Sequence, residues 1–144
     1  MEGRFVTLSA EIQARLAGDA TFAAMLASYR GEPAVVVGDE GTIPEDIKPP
    51  FVVIHGSDQD FASDTKDRDG REVLRPIRVY TDATGSTLEV EAIAERARAL
   101  LHRQPDGLAP GAYVAECEGP TVAPTDKSFY GRQLLLRLTS LAPS

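Results

Sequence analysis

The sequence predicts an α+β fold: an antiparallel or mixed sheet with two main helices packed on one face, in the order α–β–β–α–β–β. Three observations predict it. Apolar residues recur at helical spacing near the N-terminus and again over 87–103, alternating apolar and polar residues mark a strand pair between these helices, and two further strand-like stretches close the chain. The 144 residues read as one domain of ordinary size, 1–144. With 42% hydrophobic and 26% charged residues the composition is that of a globular protein. A chain this long buries roughly 68–70% of its unfolded surface and needs no metal or disulfide staple.

Taken in order, Leu8, Ile12 and Leu16 share one helical face. Gly18 interrupts, Asp19 is a candidate N-cap, and Phe22, Met25 and Leu26 stripe a second short helix, so two helices or one kinked helix are expected over roughly 8–28. Residues 30–50 read as an ordered connector punctuated by Gly38, Gly41, Pro44, Pro49 and Pro50, with a short strand at Val35-Val36-Val37. Phe51 to His55 is a strong strand, apolar on both faces at its start, which predicts a central or doubly covered position. Val73, Ile77 and Val79 alternate with Leu74, Arg78 and Tyr80 in a second strand, and Pro76 predicts an edge or a bulge there. These two strands are expected to pair as an antiparallel hairpin with a long tip, closed near a tight turn at Asp69-Gly70.

The clearest helix covers 87–103. Ser86 and Glu89 have capping-box spacing, Val90, Ile93, Ala94, Ala97, Leu100 and Leu101 form one stripe, and Pro105-Asp106-Gly107 stops it. His102 at its end suits the last carbonyls as a donor. Tyr113 to Glu118 alternates weakly, Gly119 to Lys127 is turn-rich, and Ser128 to Leu141 is a long strand with Leu134, Leu136 and Leu138 on one face. Arg132 shares that face and Arg137 lies opposite.

Net charge is −7 and the pI about 4.8. That balance argues against general binding to nucleic acid or anionic membranes, although an acidic wall suits a protein that surrounds DNA without gripping it. Cys117 is the lone cysteine, excludes an intrachain disulfide, and reads as core. No apolar run approaches the roughly 18 residues of a membrane span, and the N-terminus lacks the pattern of a signal peptide.

No catalytic, cofactor or metal site is expected. His55 and His102 have no nucleophile or acid at a telling spacing, and no nucleophile elbow or glycine-rich phosphate loop occurs. The run Asp58, Asp60, Asp64, Asp67, Asp69 invites a calcium reading, but aligning Gly70 with the loop glycine of an EF-hand puts Thr65 at the first ligand position and Pro76 at the bidentate one. The acidic run reads as a solvated hairpin tip; 58–71 is also long for a hairpin connection, which points to interaction, and Phe61 is either tucked back or offered to a partner.

Three stretches resemble the tail-terminator (tail-completion) proteins of long-tailed phages and gene transfer agents. They are Gly18-Asp19-Ala20-Thr21-Phe22-Ala23-Ala24-Met25-Leu26; Pro49-Pro50-Phe51-Val52-Val53-Ile54 with Asp69-Gly70-Arg71-Glu72-Val73 and Ile77-Arg78-Val79-Tyr80; and the helix Glu91 to His102 with Tyr130-Gly131-Arg132-Gln133-Leu134. Together they span most of the chain in order, as patterns of apolar spacing with a few fixed types. The stretch Gly119 to Lys127, with two prolines, departs from the pattern. The resemblance implies a structural virion protein, not an enzyme. It would form a homohexameric ring that caps the tail tube, ends its growth and joins tail to head, with DNA only passing through the lumen. Its implied partners are copies of itself, the tail tube protein and a head-closure or connector protein. Its implied place is the head-proximal end of the tail of a phage-like particle assembled in the bacterial cytoplasm. On this reading Asp60, Phe61, Asp64, Lys66, Arg68 and Arg71 are candidates for a subunit or tail-tube interface. Arg75 and Arg78 are candidates for lumen or inter-subunit charge, or are ordinary solvated strand charges. The alternatives are another head–tail neck protein of head-closure type, and a small non-viral ligand-binding or enzymatic α+β domain.

Overall fold

A computed structural model describes residues 8–38, 43–55, 59–62, 68–84, 86–108, 112–123 and 128–143, with backbone alone at 59–62, 68–71 and 140–143. Helices α1 (Leu8–Gly18) and α2 (Ala20–Ala23) are separated at Asp19. The Asp19 carboxylate accepts the backbone N–H of Phe22 at 2.8 Å, the bond an N-cap supplies. The helical spacing is thus borne out as two helices, the second ending well before residue 28.

The connector holds two features. Strands β1 (Ser28–Tyr29) and β2 (Glu32–Pro33) form a small hairpin. Its central residues Arg30 and Gly31 have φ of 53° and 84°, the positive pair a type I′ turn demands. Strand β3 (Val35–Gly38) follows and runs parallel to β4 (Phe51–His55), pairing Val35 with Val52 and Gly38 with His55. The sheet is therefore mixed.

Strand β5 (Gln59–Ala62) and the long β6 (Arg68–Asp82) come next. After helix α3 (Leu88–Leu101), strands β7 (Ala112–Val122) and β8 (Phe129–Pro143) complete the chain. The sheet order is β3-β4-β6-β8-β7, with β5 pairing beside β4 along the same side of β6. β4 is antiparallel to β6 from Phe51–Tyr80 to Ile54–Ile77, and β5 takes over from Gln59–Leu74 to Ala62–Arg71. Pro76 lies where β6 changes partner. It needs no edge position, because β8 runs beside β6 from Arg68–Pro143 to Asp82–Phe129.

Asp69-Gly70 is no turn: both residues are inside β6, opposite Ala142 and Leu141, because long-range pairing with β8 overrides the local dipeptide signal. Gly119 onward is not yet loop, since β7 continues to Val122 through a register shift between Glu118 and Thr121. Gly119 has φ of 109°, and a Cβ there would meet the Gln133 carbonyl at 2.7 Å, which is why only glycine fits the irregularity.

Both faces of the sheet carry apolar clusters. On one, Leu8, Ile12, Leu16 and Phe22 from the first helices and Val90, Ile93, Ala94, Ala97 and Leu101 from α3 pack on Val52, Ile54, Val73, Ile77, Val79, Leu134, Leu136 and Leu138. Cys117 belongs to this core, and burial pushes its thiol up to about 12. On the other face Phe51, Val53 and Tyr80 lie under the connector residues Ala34 and Ile47. The rings of Phe51, Tyr80 and Phe129 sit with centroids 5.2–6.0 Å apart. This covering of both faces accounts for the fully buried start of β4.

The capping box does not form as the spacing suggests. Thr87 is the N-cap of α3, and the Ser86 hydroxyl accepts the N–H of Leu88 at 3.2 Å. His102 also acts differently: its Nδ1 accepts the backbone N–H of Cys117 at 3.0 Å rather than donating to helix carbonyls. A ring nitrogen without a hydrogen is an acceptor, and the strand amide beside it donates the hydrogen bond.

Candidate assembly surface

Alternation along β6 and β8 divides their side chains between two environments. Val73, Arg75, Ile77 and Val79 face the helices together with Leu134, Leu136 and Leu138. The intervening residues face the other way, and no helix lies on them among the described residues. On this helix-free face Leu74, Pro76 and Leu135 are half-buried neighbours, through the pairs Leu74–Arg137 and Pro76–Leu135.

Charge frames this apolar strip. Arg137 donates to Glu72 at 2.7 Å and lies 3.7 Å from Glu118, bridging β6, β8 and β7. Arg78 donates through Nε to Gln133 Oε1 at 2.8 Å. These groups remain partly open to solvent, so they fix side-chain orientation more than they add stability.

The expected interface residues are distributed as follows. Asp60 and Phe61 lie in β5, their backbones opposite Val73 and Glu72. Arg68 and Arg71 open β6, opposite Pro143 and Ser140. Asp64 and Lys66 lie outside the described residues, as do Gly41, Asp58 and Asp67. Much of the segment expected as a loop is therefore a continuation of the sheet, an arm of β5, β6 and β8 beyond the end of β4.

Arg75 and Arg78 separate. Arg78 is on the helix-free face, whereas Arg75 is only 1% exposed and its guanidinium donates to the Ser9 hydroxyl of α1. Ser9 in turn donates to the His55 carbonyl at 2.8 Å. Burial lowers the Arg75 pKa to about 10, so it stays a cation at neutral pH. Arg75 thus belongs to the interior of this fold and drops out of the candidates for lumen charge. The alternation with Val73 and Ile77 already carried that signal. No sequence pattern marks Arg137, Glu72 and Glu118 as a set, because the register of three strands brings them together.

Among the described residues no group of three or more His, Cys, Asp or Glu side chains could hold a metal ion. A shallow groove lies between α1 and the β2–β3 segment, lined by Ala10, Gln13, Ala14, Ala17, Glu32, Pro33 and Val35. Its single acid and single amide offer no nucleophile–base pair. Among the described residues no helix is long and apolar enough to cross a membrane.

No protein-family model matches the chain, and no curated protein sequence is significantly similar to it. Among solved structures the chain is similar to one described as "Virion of native gene transfer agent (GTA) particle", with a TM-score of 0.69 and 21% identity over 95% of each chain. At that identity the likeness shows a shared fold, one that accounts for nearly all of both chains.

Proposed function

We propose that this chain is a structural protein of a phage-like particle, acting as a ring that caps the tail tube, ends its polymerisation and joins tail to head. The observation that carries this reading is the fold likeness to a chain of a gene transfer agent virion, which leaves almost no part of either chain unmatched. A component that works by contact needs a frame and a surface open to partners; the paired sheet is such a frame, and its helix-free face is partly open to solvent. Copies related by a heterologous contact close into a ring when the rotation between them allows it. The ring is a homohexamer whose partners are the tube protein and a head-closure or connector protein, with DNA passing through the lumen. The acidic balance of −7 suits passage without adhesion. The contact set consists of Asp60, Phe61, Arg68 and Arg71 on the arm, Asp64 and Lys66 between them in sequence, and Arg78 on the sheet face. A head-closure subunit of the same neck draws on the same likeness and differs in where it sits.

Gold labelling of an epitope-tagged copy in purified particles tests the reading. Label at the head-proximal end of the tail tube supports it. Label confined to the capsid shell or the distal tip, or tag absent from particles, contradicts it.

A further inference from the structure

Among the described residues strand β7 pairs with β8 alone, which makes it an edge strand. An edge of 11 residues exposes backbone donors and acceptors that invite another strand. At the middle of β7 these groups are already occupied. His102 Nδ1 accepts the N–H of Cys117 at 3.0 Å, and Arg98 Nε donates to the Cys117 carbonyl at 3.0 Å. The backbone N–H of Arg103 donates to the Ala115 carbonyl at 2.7 Å. One acceptor and two donors are thus presented to alternate residues, much as a neighbouring antiparallel strand would present them.

The helix delivers these groups for local reasons. Arg98 and His102 are four residues apart and share a helix face. Arg103, at φ of 60°, turns the chain so that its own amide follows them to the strand. Cys117, fully buried, holds the middle of β7 against the core beneath α3. Beyond the occupied stretch the edge carries exposed apolar residues, Tyr113 at 53% and Val122 at 75%.

We propose that the C-terminal end of α3 is a lock on β7, which keeps an extended strand of a second copy of this chain from adding to the sheet at that edge. Backbone pairing is indifferent to sequence, so a chain that gathers in many copies meets its own strands first. The lock removes the hydrogen bonds such an addition needs while leaving side-chain contacts between copies possible. It does not depend on the particle reading: a lock on β7 serves any protein that gathers at high local concentration.

The test compares three variants of the full chain. His102→Asn places a side-chain oxygen where Nδ1 lies and keeps the acceptor. His102→Phe keeps ring volume without it, and Arg98→Met with His102→Phe removes the donor as well. Hydrogen exchange of the Cys117 amide and sedimentation velocity over a concentration series are read for each. The expected result is exchange at Cys117 about tenfold or more faster in His102→Phe, with species larger than the wild-type form accumulating in the double variant, while His102→Asn matches wild type in both. Wild-type exchange in His102→Phe, a folded double variant that sediments as wild type does, or His102→Asn behaving like His102→Phe, overturns the lock. Should the double variant fail to fold, sedimentation of His102→Phe beside His102→Asn decides the matter: larger species in His102→Phe alone support the lock, and wild-type behaviour of both overturns it.

Discussion

Asp19 and Arg96 join the break between the first two helices to the middle of α3. The guanidinium holds both carboxylate oxygens, Nη2 to Oδ1 at 2.8 Å and Nε to Oδ2 at 3.1 Å, while Oδ2 also caps Phe22. The Arg96 hydrogen bond, then the Phe22 amide, hold the Asp19 carboxyl below its ordinary value. A carboxyl with a lowered folded-state pKa contributes stability above its unfolded value, near pH 4, and loses it as pH falls through the folded value. Asp19→Asn retains a capping oxygen and loses the ion pair. The variant is expected to be less stable than wild type at pH 7, the difference shrinking below about pH 4. Urea unfolding of both proteins across that range checks it, and a pH-independent difference would contradict the linkage.

Arg75 and Arg78 are three residues apart yet should respond to substitution in opposite ways. Arg75→Ala removes a large buried side chain and the donor to Ser9, and is expected to cost about 2–4 kcal/mol of stability. Arg78→Ala on the helix-free face should leave stability within about 1 kcal/mol while weakening association of copies or partners. Denaturant melts and a particle-incorporation assay separate the two effects.

Glycine substitutions probe backbone shape. Gly119→Ala meets a carbonyl at 2.7 Å in a positive-φ conformation and is expected to destabilise by about 2 kcal/mol or more. Gly18→Ala, with nothing within 4 Å of the new methyl at the end of α1, should be neutral or stabilising by up to about 1 kcal/mol. Thermal melts of the pair read the contrast directly.

The Cys117 thiol, buried and pushed up to about 12, should resist alkylation at pH 8 in the folded protein. It should label fully in urea. Mass spectrometry after iodoacetamide treatment checks both states, and rapid labelling of the folded chain would contradict the placement of Cys117 in the core.

The elements legible in the sequence were those whose pattern repeats. The α3 stripe, the apolar strand at Phe51–His55 and the leucines of β8 each declare their buried face over several residues, and the order α–β–β–α–β–β follows from them. The short pieces were not legible. β1 and β2 hold two residues each and depend on the turn at Arg30-Gly31, while β5 has no apolar alternation and exists by pairing with β6. Asp69-Gly70 misled because a local turn signal was outweighed by the ladder to β8. Of the candidate surface, Arg78 was visible from its strand position. The network of Arg137 with Glu72 and Glu118 depends on strand register, which a sequence does not display.

The proposed role, ending the tail tube and joining it to the head, has a direct consequence for particles that lack the protein. Electron microscopy of particles from a strain lacking the gene tests it most directly. The expected result is filled heads beside unattached tails, some of them overgrown. Normal tailed particles in that strain would contradict it.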